Sequence, residues 1–267
     1  MTKVVRSTSN PGVKETLRLR NRRARRETGL FLVEGFRELR RALDAKIHIE
    51  KMWFCPELYL GSHESELVGR AGALGAETIQ AAEEPFRKMS YRDRPEGLLA
   101  VCRQFDTSFE RIELGQNPLV LVVESIEKPG NLGTMIRAAS AAGADAVIAA
   151  DPTTDVFNPN VVRSSIGTCF VVPIGVGSTD DVITWLGSRD IPTVAASPDA
   201  EKTIWTATLN GPAALVVGSE QYGLSKEFVD AADVRVSIPM PGGLVDSLNA
   251  ATSAAILLFE AVRQRSL

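Results

Sequence analysis

At 267 residues, with 44% hydrophobic and 24% charged side chains and a formal charge of −3, the chain has a globular composition and the length for one large domain or two ordinary ones, two being expected. No apolar run nears the roughly 18 residues of a membrane span, and the first residues are polar where a secretory signal would be apolar, so a cytoplasmic protein is expected. Three scattered cysteines (Cys55, Cys102, Cys169) and two histidines confined to the N-terminal third (His48, His63) argue against a disulfide framework, a zinc site or a histidine-centred triad.

Along the chain the charge is polarised. Residues 1 to 41 hold twelve Lys or Arg and four Glu, net +8, and the remainder is net −11. Arg18, Arg20, Arg22, Arg23, Arg25 and Arg26 fall within nine residues. Such a run can be a solvated helix face, but like charges three and four apart repel. Phosphates would relieve that repulsion, and arginine's planar fork suits them. An RNA or DNA contact is therefore expected.

Leu30 to Val33 then reads as a strand, Glu34 to Leu43 as a helix, Ile47 to Phe54 as a strand and Leu67 to Leu74 as a small helix. Thr78 to Ile79, the helical turn Pro85 to Met89 and the strand Leu98 to Cys102 complete a small alternating α/β domain, residues 1 to 104. The apolar pattern weakens over residues 105 to 117, which read as a linker. From residue 118 to 267 apolar strand runs alternate with helical segments: Leu119 to Val123, Ala146 to Ala150, Thr193 to Ala196 and Ala214 to Val217. Runs apolar on both faces imply a mainly parallel sheet covered by helices. The final helix is expected over Ser247 to Gln264, with Asp246 or Ser247 as its N-cap.

Three segments of this second domain stand out. The first, Glu124 to Arg137, follows a strand and opens a helix near Asn131, with Gly130 and Gly133 permitting close backbone approach and Arg137 nearly two turns further in. A capping Asn and a solvated Arg would also explain it. The second, Leu215 to Leu224, puts Gly218, Ser219 and Glu220 at the carboxyl end of a buried strand, where parallel sheets collect ligands. An ordinary turn would serve equally. The third, Val236 to Asn249, passes through a Pro- and Gly-rich loop to Ser247 and Asn249 at a helix start; capping explains Ser247 but not Asn249 as well. Neither a G-x-G-x-x-G nor a Walker-type loop occurs.

Taken in order, Asn131-Leu-Gly-Thr-Met-Ile-Arg137, Gly218-Ser-Glu-Gln-Tyr-Gly-Leu-Ser225 and Ile238-Pro-Met with Ser247-Leu-Asn249 resemble the motifs of the SpoU (TrmH) family of RNA ribose 2′-O-methyltransferases. The N-terminal part, through Asn10-Pro11, Lys14 and Phe31-Leu-Val-Glu-Gly-Phe-Arg37, is similar to that family's substrate-binding domain, which is like small ribosomal RNA-binding proteins. The resemblance implies an α/β fold whose C-terminal parallel-sheet domain carries a deep trefoil knot, which general topology rules would not suggest. It also implies S-adenosylmethionine as cofactor and a homodimer with active sites at the interface. Asn131, Arg137, Glu220, Ser247 and Asn249 map to catalytic positions, and Gly218, Ile238 and Leu248 to cofactor-binding ones. One departure is the stretch from Met240 to Ser247, which is a residue longer than the pattern.

A sulfonium methyl is already activated, so the protein has to align the ribose hydroxyl and remove its proton, and no metal is required. A guanidinium, with a pKa above about 12, hardly accepts a proton. Arg137 is accordingly expected to anchor a phosphate and stabilise the developing alkoxide, and Glu220 to orient Asn131 or a loop. The separate N-terminal domain favours 23S rRNA as substrate. A tRNA enzyme and a non-catalytic ribosome-assembly protein are the alternatives. The 22 Arg to 8 Lys fit a GC-rich bacterial source, which brings in antibiotic resistance as a role, since drug producers of that kind protect themselves with such enzymes.

Overall fold

The computed structural model describes residues 4–242 and 247–267. In chain order the elements are α1 (Pro11–Arg18), α2 (Arg22–Thr28), β1 (Leu30–Glu34), α3 (Phe36–Asp44), β2 (Ile49–Phe54), α4 (Glu64–Ala73), β3 (Glu77–Gln80), α5 (Glu83–Met89) and β4 (Leu98–Arg103). There follow β5 (Leu119–Glu124), α6 (Pro129–Ala141), β6 (Ala146–Ala150), α7 (Pro159–Ser164), β7 (Ile174–Gly177), α8 (Thr179–Gly187), β8 (Thr193–Ala196), β9 (Ala213–Val217), α9 (Lys226–Ala231), β10 (Val234–Val236) and α10 (Ala250–Arg265). The chain divides into two compact units, Met1–Phe105 with Asp155–Val171, and Asp106–Thr154 with Val172–Leu267.

In the first unit a four-stranded sheet has the order β1-β4-β2-β3, with β4 antiparallel to both its neighbours and β2 parallel to β3. Asn10 caps α1, its Oδ1 accepting from Gly12 N at 2.9 Å, and Pro11 supplies a preset first-turn φ. Thr16 of α1 accepts from Trp53 Nε1 at 3.0 Å, so the tryptophan in the core has its polar atom satisfied. Gly35, between β1 and α3, has φ +107, and a Cβ there would lie 2.4 Å from Arg92 Nη2. The room is taken by a buried charge cluster. Glu34 accepts from Ser90 Oγ and from Tyr91 N (3.0 Å), while Arg92 pairs with Glu38 at 2.7 Å and also with Glu96. Burial pushes the Glu34 carboxyl above its ordinary value, opposed by the bonds from Ser90 and Tyr91, and burial raises Glu38 against the pull of Arg92.

Residues 155 to 171 belong to this unit although they lie in sequence between β6 and β7. Phe157 and Phe170 join Phe31 and Phe105 in one aromatic group with centroid separations of 4.9 to 6.4 Å. Arg41 donates to the carbonyl of Ile166, and Gly167 (φ +75) brings its Cα so close to α3 that a Cβ would lie 3.0 Å from the Glu38 Cα.

The second unit is a six-stranded sheet among the described residues, ordered β10-β8-β9-β5-β6-β7, with every neighbouring pair parallel. β5, β6 and β9 are buried at every position, which is why they read as unbroken apolar runs. The expected linker does not behave as one. Ile112 is buried in this unit's core, Phe109 packs on Trp185 with centroids 5.5 Å apart, and Thr107 O accepts from Val176 N at 2.9 Å. Its scattered apolar residues cover the β7 end of the sheet, too sparse to leave a periodic pattern in the sequence. The last helix begins at Ala250 and its N-cap is Asn249, not Ser247; Asp246 lies outside the described residues. The carbonyl oxygen of the Asn249 side chain accepts from Ala251 N (3.0 Å) and Thr252 N (3.3 Å), so one residue does the capping that had been assigned to its neighbours.

Candidate active site

The strand order reverses between β5 and β9: from β5 the chain proceeds outward to β6 and β7, then returns to the other side through β8 and β9. Crevices at the carboxyl ends of strands beside such a reversal are where open parallel sheets bind ligands. The first two motif segments start there, after β5 and β9, and the third starts at the carboxyl end of the edge strand β10.

After β5, Ser125 adopts φ +52 and turns the chain, its N–H bonded to Ala150 O at 3.0 Å, while Thr154 Oγ1 holds Glu127 O at 2.5 Å. This places Pro129 at the first turn of α6, two positions before the expected helix start at Asn131. Lys128, at the N-cap, makes no side-chain cap, which leaves its ammonium for another partner. After β9, a Cβ on Gly218 would lie 2.2 Å from Gly223 C and O, so only glycine admits the tight turn in which Ser219 and Gly223 exchange backbone hydrogen bonds of 3.0 Å. Glu124, buried at the end of β5, accepts from Ser225 N and Thr179 Oγ1, both at 2.8 Å, and so pins the far end of that turn.

One carboxylate gathers the three segments. Glu220 Oε1 accepts from Asn131 Nδ2 at 2.8 Å and from Asn249 Nδ2, and Oε2 accepts from Lys128 Nζ. Asn249 Nδ2 also reaches Asn131 Oδ1 at 3.3 Å. The Lys128 ammonium holds the Glu220 carboxyl below its ordinary value, opposed by burial and helped by the Asn131 amide. A carboxylate so stabilised is a weak base, which sets Glu220 in an orienting role.

Two hollows meet at Glu220. The smaller, about 200 Å³, is lined by Ile126, Glu127, Lys128, Asn131, Ser219, Glu220 and Gln221. The larger, about 540 Å³, contains all three expected cofactor residues, Gly218, Ile238 and Leu248, together with Ser247. Leu224, Met240 and Ile238 give it apolar walls, while Ser197, Asp199 and Ser253 supply hydroxyl and carboxylate partners. That mixture and volume suit a nucleoside carrying an amino-acid arm. Ser247 therefore lies at this cleft and not in the hydrogen-bonded cluster. Arg137 is exposed and lines neither hollow, because six residues along a helix rotate a side chain some 600°, or 240° net, from Asn131. In Gly130 the expected close backbone approach has no counterpart within the chain, where a Cβ would meet open space.

Sequence reasoning gave no role to Lys128 or Glu124. A cation just before a helix-opening proline, and a carboxylate ending an otherwise apolar strand, were the available signals.

In the first unit, Arg18, Arg20, Arg22, Arg23 and Arg26 are exposed along α1, α2 and their junction. Arg20 also holds the end of α5, donating to Met89 O at 3.0 Å and to Ser90 O. Arg25 is the exception and corrects its assignment to RNA contact. It is 1% exposed, pairs with Asp155 at 2.7 Å and donates to Leu19 O and Arg20 O at 2.9 Å each. Its charge is neutralised within the protein, by a residue 130 positions away.

Comparison with known proteins identifies the family. Residues 118–259 match the model of the SpoU rRNA Methylase family, and residues 10–100 match the MRM3-like substrate binding domain. The 23S rRNA (uridine(2479)-2′-O)-methyltransferase of Streptomyces viridochromogenes is 32% identical over 256 residues, covering 92% of this chain and 87% of that protein. The 23S rRNA (guanosine(2553)-2′-O)-methyltransferase RlmP of Bacillus subtilis is 29% identical, covering 96% and 98%. A crystal structure of an AdoMet-bound rRNA methyltransferase from Sinorhizobium meliloti superposes with a TM-score of 0.90 at 31% identity, over 98% of each chain. With a family model spanning more than half its length and a relative of this identity across nine-tenths of it, the chain belongs to the SpoU rRNA methylase family.

Proposed function

We propose that this protein methylates a ribose 2′-hydroxyl of RNA, with bacterial 23S rRNA as the substrate and S-adenosylmethionine as the methyl donor. The observation that carries the reading is the single carboxylate, Glu220, that draws Asn131 and Asn249 together between a cofactor-sized cleft and a smaller hollow. Backbone groups at Gly218, Ile238 and Leu248 hold the cofactor in the cleft, with Ser247 at its rim. When bound there, S-adenosylmethionine supplies a methyl group already activated on a sulfonium. Asn131 presents its side-chain oxygen to the ribose in the smaller hollow, and Asn249 donates to that oxygen from the start of α10.

Arg137 anchors a substrate phosphate and steadies the alkoxide as it forms. Since it stands outside its own chain's cluster, it does so in a homodimer whose sites are shared. The half-exposed face of α10, with Ile256, Phe259 and Val262 at helical spacing, suits such an interface. The first unit selects the RNA through Arg18, Arg20, Arg22, Arg23 and Arg26. The family's deep trefoil knot and a place in the bacterial cytoplasm complete the proposal.

The test is tritiated methyl transfer to 23S rRNA and to tRNA, with reverse-transcription stops locating any modified ribose. Label in 23S rRNA is the expected result. Label in tRNA alone would move the enzyme to that substrate, and absence of both label and calorimetric cofactor binding would leave a non-catalytic RNA-binding protein.

A further inference from the structure

The three donors on Glu220 are not equivalent. Asn249 has no choice of orientation, because its side-chain oxygen caps α10 through Ala251 N and Thr252 N, so its amide nitrogen must face Glu220. Asn131 has a choice. Its nitrogen donates to Glu220 and its oxygen accepts from Asn249 at 3.3 Å, and the residue lines the smaller hollow. An ionised carboxylate only accepts hydrogen bonds, whereas a protonated one also donates. Protonation of Glu220 would leave the long bond from Asn249 as the one hold on the Asn131 amide among the described contacts, and an amide turned over against it would present to the hollow a donor where an acceptor had been. A ribose hydroxyl about to lose its proton needs the acceptor.

The group that secures this polarity is Lys128, the one cation lining the hollow among the described residues. We infer that Lys128 is a positioning residue of the methyl-transfer site: its ammonium holds Glu220 as the shared acceptor and thereby sets which way the Asn131 amide points. The inference rests on the proposed methyl transfer for its consequence, though not for its geometry. Among the described residues, the groups around Glu220 are Lys128 and Asn131 from the start of α6, Glu127 beside them in the same hollow, and Asn249 with the Ala250 amide from the start of α10. Of these only Lys128 opposes the carboxylate's charge, and its contribution is the largest on that group. Glu127 lines the same hollow, so loss of Lys128 leaves two carboxylates there without their cation.

The experiment has two readings. In the cofactor-free protein, carbon-13 NMR follows the Glu220 carboxyl and the Asn131 side-chain amide from neutral to acid pH in the wild type, Lys128→Met and Lys128→Arg. The Glu220 titration should move to higher pH in Lys128→Met, with the Asn131 amide signal changing at the same pH, and Lys128→Arg should stay with the wild type. In methyl transfer, the acid limb of kcat/KM, normalised to each variant's own plateau, should move upward in Lys128→Met and be rescued by arginine. A Glu220 titration that is the same in wild type and Lys128→Met overturns the inference, as does an unmoved acid limb despite a moved titration. If the wild type transfers no methyl group, the proposed function fails, and the NMR titration still decides whether Lys128 governs Glu220.

Discussion

Replacing Arg25 by methionine separates structure from RNA contact in the basic segment. The side chain is 1% exposed and makes three kinds of bond: an ion pair to Asp155 at 2.7 Å and hydrogen bonds to Leu19 O and Arg20 O at 2.9 Å. Methionine fills much of the volume but leaves two carbonyls and a carboxylate that is itself only 12% exposed without their donor. Removing one partner of such a pair, with the carbonyls it also served left without a donor, costs about 3–5 kcal/mol. With a urea m-value of about 2 kcal/mol/M, the midpoint falls by about 1.5–2.5 M. Arg23 is the contrast: its ion pair to Glu27 has side chains 86% and 50% exposed, so Arg23→Ala should change stability by less than about 1 kcal/mol. If Arg23 meets a phosphate, its loss lowers the salt dependence of RNA binding by about one unit of slope. Urea unfolding and salt-titrated RNA binding on both variants form the assay. An Arg25→Met protein that unfolds at the wild-type midpoint while its RNA salt slope falls would refute this division of labour.

Gly218→Ala forces a Cβ to within 2.2 Å of the Gly223 carbonyl, so the turn below the cleft must open; calorimetry should register a loss of cofactor affinity of about tenfold or more. Burial raises the folded-state pKa of Glu34 above its unfolded value, so its contribution to stability is fully present below the unfolded pKa and is lost as pH rises through the folded one. The stability of the wild type minus that of Glu34→Gln should therefore be largest in acid and shrink toward neutral pH. A difference that grows with pH in thermal unfolding would contradict the burial argument.

What could be read from the chain was what depends on neighbours in sequence. Strands β5, β6 and β9 were legible because full burial on both faces writes an unbroken apolar run, and the glycine at 218 announced a turn that no other residue permits. Asn131, Glu220 and Asn249 were picked out separately, and the structure brings them onto one carboxylate. Arg25 was misread because its partner, Asp155, is 130 residues distant and nothing in an arginine run marks which member turns inward. Residues 105 to 117 were misread because Phe109 and Ile112 are too few to make a periodic signal, yet suffice to close a sheet edge. Arg137 was grouped with the catalytic residues by motif, whereas helix geometry sends it to another face.

The aromatic group of Phe31, Phe105, Phe157 and Phe170 has a consequence for the order of assembly during synthesis. Nascent chains generally complete their N-terminal parts first, but here the N-terminal sheet emerges lacking two of its four rings and the anion that neutralises Arg25. It must wait for residues 155 to 171, which appear only after β5 and β6 have been made. Ribosomes pausing before that point would hold an unfinished first unit, and a gene fragment ending at residue 105 would encode the same unfinished state permanently.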